Sequence, residues 1–427
     1  MIEQENTNSQ MTEDTQNLKK AATSDKKSQK CEIQLQEVGP LSLLVEDEFE
    51  NVEELRVRGA ISGSDVEFFG SVARTYSTMR VLDISQTEGL KEIPRRAFID
   101  CDHLSTIVLP EGIIKFGESS FENCEALVSI NFPFSLLSIG VKAFAHCSRL
   151  SAIQLPDNLE YIGAKAFRDC DSISSIFVPA KVSDIGAFAF TYAMHLRIFE
   201  VDKSNEKYRS EDGVLFSGTV LLQYPQGSEE HKYKIPNGVT KISERAFVHC
   251  SLLETVKMPE SVMEIGNEAF YFCSNLQSIE LPTNVSRIGV DAFLKCQSLQ
   301  RIDIVNFNNY FDSVDGVVYD ENCKRLIIYP DGKEDDEFNI PDTVGSIAPN
   351  AFGGNEFLKK ITIPASVSSL DNYFFDQFKN LEEIYSYKAL TIVPFGFTLK
   401  SEDKGTHLTI YKRSSTSIWQ KIKKVFE

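Results

Sequence analysis

Cysteine is the residue type in this chain with the widest chemical reach, and it recurs in phase. Seven of the nine cysteines, Cys101, Cys124, Cys147, Cys170, Cys250, Cys273 and Cys296, stand three residues after a phenylalanine. A thiolate can ligate metal, attack an electrophile or form a disulfide. Zinc sites present their thiolates in close pairs, and no Cys-x-x-Cys exists here. A nucleophilic thiolate needs a base, and His146 and His249 directly precede Cys147 and Cys250. The same phase is held elsewhere by Asp100, Asn123, Asp169, Phe272 and Lys295, which marks a turn position of free choice. One thiol per unit, replaced by Ala193 and Asn355 in two units, reads as a small apolar packing site with reduced, structural cysteines. Cys31 and Cys323 fall outside this ladder and carry no assigned role. The acidic run Glu334-Asp335-Asp336-Glu337 lacks the glycine and spacing of a calcium loop and reads as a solvated hairpin tip. There is no Gly-rich phosphate loop, no His-Glu-x-x-His and no nucleophile elbow. The expectation is no catalytic residue, no metal and no cofactor.

What would position such a ladder is an internal repeat. Pro110, Pro133, Pro156 and Pro179 are 23 residues apart, and the period restarts at Pro236, Pro259 and Pro282 and again at Pro341 and Pro364. Phenylalanine keeps step at Phe98, Phe121, Phe144, Phe167, Phe190, Phe247, Phe270, Phe293, Phe352 and Phe375. In one unit Leu150, Ile153 and Leu155 alternate as a strand, with Ile153 and Leu155 inward. Pro156 ends that strand because proline offers no N–H to a ladder. Leu159 and Ile162 turn the chain inward again, Gly163 serves a positive φ or a close approach, and Ala166-Phe167 opens a compact stretch of helical character on the far side. So short a unit cannot bury its apolar face alone; stacked copies share one core.

Two gaps, of 57 and 59 residues between prolines, leave insertions of 34 and 36 residues beyond one repeat. They resemble each other: Tyr208, Asp212-Gly213-Val214-Leu215-Phe216 and Tyr224-Pro225 in the first, Phe311, Asp315-Gly316-Val317-Val318-Tyr319 and Tyr329-Pro330 in the second. Alternating apolar residues after Asp-Gly predict a β-hairpin against the solenoid flank. At the N-terminal end, strands are expected around Leu55-Arg56-Val57 and over Arg80–Ile84, with a helix from Ser64 whose capping box is completed by Glu67. Residues 1–30 hold no aromatic residue and read as a disordered tail without the apolar core of a secretory leader. At the other end Ile418, Trp419, Ile422, Val425 and Phe426 share a helical face that would cover the last repeat. The organisation expected is a tail (1–30), an N-terminal cap (31–87), repeats (88–198), a hairpin insertion (199–234), repeats (235–304), a second insertion (305–339), repeats (340–400) and a C-terminal cap (401–427).

A net charge of −18 argues against nucleic acid as a partner and disfavours docking on an anionic membrane, since both call for clustered cations. No apolar run is long enough for membrane insertion.

The motif Leu-x-x-Ile-x-Leu-Pro, then Ile-Gly, Ala-Phe and Cys, as in Leu276, Ile279, Leu281, Pro282, Ile288, Gly289, Ala292, Phe293 and Cys296, resembles the BspA-like family of leucine-rich-repeat proteins over roughly residues 80–427. The Asp-Gly-Val hairpins and the stretch Leu55–Ile84 resemble segments of that family too. The resemblance implies an α/β repeat solenoid, a leucine-rich-repeat array with short parallel strands, two hairpin insertions and capped ends. It implies a non-enzymatic, adhesion-type binding protein, secreted or at the cell surface, with a protein or glycan ligand. The alternative is an intracellular, cytoplasmic scaffold or effector using the same face. That face is expected on the strands, at the position between the two inward residues: Val108, Asn131, Gln154, Phe177, Glu200, Lys257, Glu280, Asp303, Thr362 and Tyr385. Phe177 is the aromatic among the first five, and exposed aromatics mark binding hot spots.

Overall fold

The structure is a computed structural model, and it describes residues 22–25, 30–35, 49–304, 307–370, 374–387, 397–401 and 408–412. The chain forms two compact units, one of residues 1–218 with 225–228 and one of residues 219–224 with 229–427.

In the first unit each 23-residue repeat makes one solenoid turn with three faces. The first face is a parallel ladder: Glu54–Ala60, Val81–Glu88, Thr106–Val108 and Ser129–Ile130, and further on Ser175–Val178 beside Ile198–Val201. Leu82, Ile107, Ile130, Ile176 and Phe199 point inward and are buried. The second face is another parallel ladder of two-residue strands: Glu92–Ile93, Lys115–Phe116, Ser138–Ile139, Tyr161–Ile162 and Asp184–Ile185. The last four of these strands run into a repeat glycine, whereas Glu92–Ile93 runs into Pro94. A Cβ on Gly163 would lie 2.4 Å from the nitrogen of Val141, so close approach of successive turns, not positive φ, fixes this glycine.

The third face corrects the expected helical stretch. Around Ala166-Phe167 the chain makes turns, with positive φ at Lys165 (57°) and Asp169 (58°). The pair recurs two residues before and after each column phenylalanine from Phe98 to Phe190, in Arg96 and Asp100, Ser119 and Asn123, Lys142 and His146, Phe188 and Tyr192. Main-chain N–H groups freed by this conformation bond to the next turn: Phe98 N–H to Ser120 O (2.8 Å), Phe121 to Ala143 O (2.8 Å), Phe144 to Ala166 O (2.8 Å) and Phe167 to Ala189 O (2.7 Å). The turns therefore form a ladder, which satisfies the backbone groups that a helix would have satisfied internally. The Leu150–Leu155 strand is also corrected. The chain there makes no strand pairing, Leu155 is buried and Ile153 is half-buried.

The one α-helix among the described residues, α1 (Gly63–Thr75), closes the turn ladder. Its cap is two residues earlier than expected: Ser62 is the N-cap, and Asp65, not Glu67, accepts hydrogen bonds from the Ser62 N–H (2.8 Å) and hydroxyl (2.6 Å). Val66, Phe69, Val72 and Ala73 face the core, and Arg74 donates to the end carbonyls of Ala97 (3.1 Å) and Ile99 (3.2 Å). Within the tail expected to be disordered, Ala22–Asp25 instead pairs antiparallel with Lys30–Gln34, which extends the first ladder parallel to Glu54–Ala60.

The second unit repeats the three faces. Its first ladder holds Lys232–Lys234, Thr255–Lys257, Ser278–Leu281 and Arg301–Ile304, and separately Glu337–Asn339, Lys360–Ile363 and Glu383–Ser386. The segment from 311 carries three strands. Phe311–Val314 and Val317–Asp320 are antiparallel, and Arg325–Ile328 continues antiparallel before pairing parallel with Ser346–Ile347. The segment is thus woven into the second ladder by hydrogen bonds, whereas the sequence placed it against the flank. In the first unit Tyr208–Glu211 pairs antiparallel with Val214–Ser217 through a two-residue turn with positive φ at Asp212 (50°) and Gly213 (75°), the geometry Asp-Gly favours. The last ladder ends in antiparallel strands, Leu408–Lys412 and then Phe397–Ser401. The helical face of Ile418, Trp419, Ile422, Val425 and Phe426 lies outside the described residues.

Candidate binding face

The pleat turns every second strand residue outward, and this sets the candidate positions. Phe177 is 44% exposed and pairs in register with exposed Glu200. Lys257 and Glu280 are exposed as well, and Glu280 pairs with half-buried Asp303. Thr362 pairs with Tyr385, both half-buried, and Val108, also half-buried, pairs with Asp83. Gln154 is exposed on the segment that makes no strand pairing.

Several of these side chains are already engaged. Asn131 uses its amide as a piece of ladder: Oδ1 accepts from Leu109 N–H (2.7 Å) and Nδ2 donates to Leu109 O (3.0 Å). Asp303 is held by the Arg301 guanidinium through Nε (2.6 Å) and a terminal nitrogen (2.8 Å). The Tyr385 hydroxyl donates to Glu383 (3.0 Å) while the Lys360 ammonium sits 4.6 Å from its ring centre. Phe177 is an outward aromatic with 44% of its surface exposed. Among the exposed aromatics that sequence reasoning missed are Phe134, Phe307 and Tyr310. Their signal was available, since all three fall out of phase with the buried phenylalanine column.

The cysteine ladder is buried and free of disulfides. Each thiol has a defined partner, which the sequence did not show. Cys124 donates to Phe98 O (3.0 Å), Cys147 to Phe121 O (3.1 Å), Cys170 to Phe144 O (3.1 Å), Cys273 to Phe247 O (3.0 Å) and Cys296 to Phe270 O (3.0 Å). Burial pushes the thiols of Cys124, Cys147, Cys170, Cys250, Cys273 and Cys296 up, which favours the protonated form over the thiolate that attack or metal ligation needs. Asn355, in the cysteine phase, donates to the carbonyls of Pro330, Asp331 and Lys333 and accepts from Phe357 and Leu358. Among the described residues no group of side chains is arranged to hold a metal ion.

The histidines follow the same logic along the turn ladder. His146 lies 3.3 Å from Asp169 and the His249 ring stacks on Phe272 at 4.8 Å, each partner being the same-phase residue one turn on. The acidic run is largely exposed but is not a hairpin tip: it leads into the strand Glu337–Asn339, and three of its four carboxylates are paired. Lys333 holds Asp335 (3.1 Å), Lys359 holds Asp336 (2.7 Å) and Lys360 holds Glu337 (3.0 Å). Among the described residues no helix is long and apolar enough to cross a membrane.

This geometry defines a leucine-rich-repeat solenoid. The BspA type leucine rich repeat region matches residues 76–211, 226–319 and 333–411 in six copies, and the chain belongs to that family. It is similar in fold to a leucine rich cell surface protein from Faecalibacterium prausnitzii, at 22% identity and a TM-score of 0.52, covering 86% of this chain and 95% of that one. A leucine-rich repeat protein from Eubacterium ventriosum is similar at 18% identity and a TM-score of 0.52, covering 82% and 93%. Among curated proteins no significant relative is found. Leucine-rich-repeat solenoids are typically binding scaffolds, and a general protein-binding role follows for this chain.

Proposed function

We propose that the chain is a non-enzymatic binding protein that takes a protein or glycan ligand on its outer strand ladder, in adhesion-type contacts at a cell surface. The observation that carries this reading is Phe177. An aromatic ring 44% exposed on a hydrogen-bonded ladder holds apolar surface in water that a ligand could cover, and it lies in register with Glu200. Lys257 and Glu280 supply exposed charge of both signs on the strands of the second unit. The cell-surface assignment draws support from the F. prausnitzii protein, described as a leucine rich cell surface protein.

The test is site-specific photo-cross-linking. A photoreactive phenylalanine analogue replaces Phe177, and a control places it at Lys165 on the turn face. Cross-links to one extracellular protein or glycoprotein from position 177, and not from 165, are the expected result. Equal capture from the two positions, or capture from 165 alone, overturns the strand-face reading.

A further inference from the structure

The stacking of turns breaks at one level of the second unit. Arg287–Ile288 pairs with Glu264–Ile265 and ends its sheet, while Arg325–Ile328 belongs to the next sheet. The turn ladder stops at the same level. Phe247 N–H bonds to Ala269 O and Phe270 N–H to Ala292 O, yet among the described residues no main-chain hydrogen bond joins Asp291–Leu294 to Ile327–Tyr329. A cleft of about 350 Å³ opens between these walls. Its margins are fastened by Gly332 N–H to Leu299 O (2.9 Å), Lys295 N–H to Asp331 Oδ2 (2.6 Å) and Asn350 Nδ2 to Asp291 Oδ1 (3.0 Å).

The lining is sorted by charge in the same order on both walls. One wall reads Arg287, Ile288, Asp291 along the chain, and the other Arg325, Ile328, Asp331. Neither guanidinium has a carboxylate partner among the described residues, although Arg95, Arg245, Lys359 and Lys360 each hold a carboxylate one turn away. At the other end Asp331 is 5% exposed and spends one oxygen on Lys295 N–H. A simple anion would suit the arginines and be repelled by the aspartates; a simple cation would suffer the reverse. A ligand with both charges and an apolar middle complements the whole cleft. Guanidinium groups grip a carboxylate as a fork. The volume lies at the small end of ligand pockets, roughly 300–1,000 Å³. An extended tripeptide reaches about 10 Å, which suits the five-residue run from Arg287 to Asp291.

We propose that this cleft binds a short zwitterionic peptide of two or three residues, with its carboxylate on Arg287 and Arg325 and its ammonium directed to Asp291 and Asp331. The proposal is independent of the strand-face reading, because every residue named lies on the second ladder or the turns.

The test is isothermal titration of the full chain with Ala-Leu-Ala, its N-acetyl form and its C-terminal amide. The free tripeptide should bind, and blocking either end should weaken it at least tenfold. Arg325→Met should make the amide and the free acid bind alike, while Asp291→Asn should do the same for the acetylated and free forms. Arg287→Met serves should Arg325→Met fail to fold, as judged by far-UV circular dichroism. Absence of binding by the free tripeptide, equal binding of all three peptides to the unmodified chain, or unchanged discrimination in a folded arginine variant overturns the proposal.

Discussion

In the first unit five phenylalanine rings stack face to face without a break: Phe98 on Phe121 at 5.4 Å, Phe121 on Phe144 at 5.0 Å, Phe144 on Phe167 at 5.3 Å and Phe167 on Phe190 at 5.7 Å. In the second unit the stack runs Tyr224, Phe247, Phe270, Phe293 at 5.2, 4.7 and 5.1 Å and then stops; it resumes as Tyr329 on Phe352 at 5.1 Å. The residues beyond the break, from Val317 to Ile384, form a hydrophobic cluster of their own. The difference teaches what a repeat contributes. The ring column, the thiol-to-carbonyl bonds and the turn ladder rise and fall together, because each requires the next turn to sit one ladder spacing away. Where a longer segment intervenes, all three are lost at once and the gap becomes a cleft.

The largest expected effect comes from cutting the unbroken stack. Phe167 is fully buried between two parallel rings, so Phe167→Ala should cost about 3–5 kcal/mol, the range for a large aromatic truncated in a core. Phe293 has a ring partner on one side and the cleft on the other, and Phe293→Ala should fall at or below the bottom of that range. Urea denaturation followed by circular dichroism compares them. Equal losses would mean that the break does not weaken the column.

The cleft side of the comparison gives a pH signature. Burial, partly offset by the hydrogen bond from Lys295 N–H, pushes the Asp331 carboxyl up to about 6 from its ordinary 3.8. A raised carboxylate means that the folded state holds the proton more tightly than the unfolded chain. The contribution is therefore present below about pH 4 and is lost as pH rises through about 6. Asp331→Asn, which keeps an acceptor for Lys295, should stabilise the protein at pH 7 by roughly 1–3 kcal/mol and leave it unchanged at pH 3. A stability gain of the same size at both pH values would show that ionisation of Asp331 is not the cause.

How much of this was written in the sequence depends on whether a structural need selects a residue type. The inward strand positions and the ring column need bulk and hydrophobicity at a fixed period, so Pro, Phe and Ile declared them. Gly163 declared a close approach because a Cβ has no room there. The positive-φ turn declared nothing. Arg96, Lys142, Lys165, Arg245 and Glu268 adopt it, and none of them favours that conformation. Inter-turn hydrogen bonds hold them there, and a single-residue propensity cannot report a bond to a residue 22 positions away. The site was legible in part. Alternation placed Phe177 and Glu280 outward, but it could not show that Asn131 is spent on Leu109 or Asp303 on Arg301. The cleft was hidden for a similar reason. From the hairpin glycine to the column tyrosine the second insertion is two residues longer, Gly316 to Tyr329 against Gly213 to Tyr224, and the count alone does not say which ladder opens.

A smaller effect tests the thiols as part of the stack. Cys170→Ala removes one S–H donor to Phe144 O and a sulfur from a packed site that Ala193 fills elsewhere, so a loss of about 1 kcal/mol is expected. Because all seven are buried away from solvent, the ladder cysteines should resist a thiol reagent in native protein and all react once unfolded without reductant. Fewer thiols after unfolding would reveal disulfides and end the structural account of the ladder.

The smallest effect on stability belongs to the face that neither stack needs. Phe177→Ala removes a ring 44% exposed, so no buried cavity is created and the unfolding midpoint should shift by less than about 0.5 kcal/mol. Its neighbours on the ladder stay hydrogen-bonded through main chain, since Phe177 pairs with Glu200 by register alone. Ligand affinity should move the other way: an aromatic anchor on an interface is worth more than about 1 kcal/mol, a loss of several-fold or greater in titration against the cross-linked partner. Set beside Phe167→Ala, the pair separates the two roles of one residue type, since the buried ring should change stability and the outward ring binding. If Phe177→Ala instead lowers the midpoint as Phe167→Ala does, the ring belongs to the fold. If it changes neither quantity, the ligand rests on another surface of the molecule.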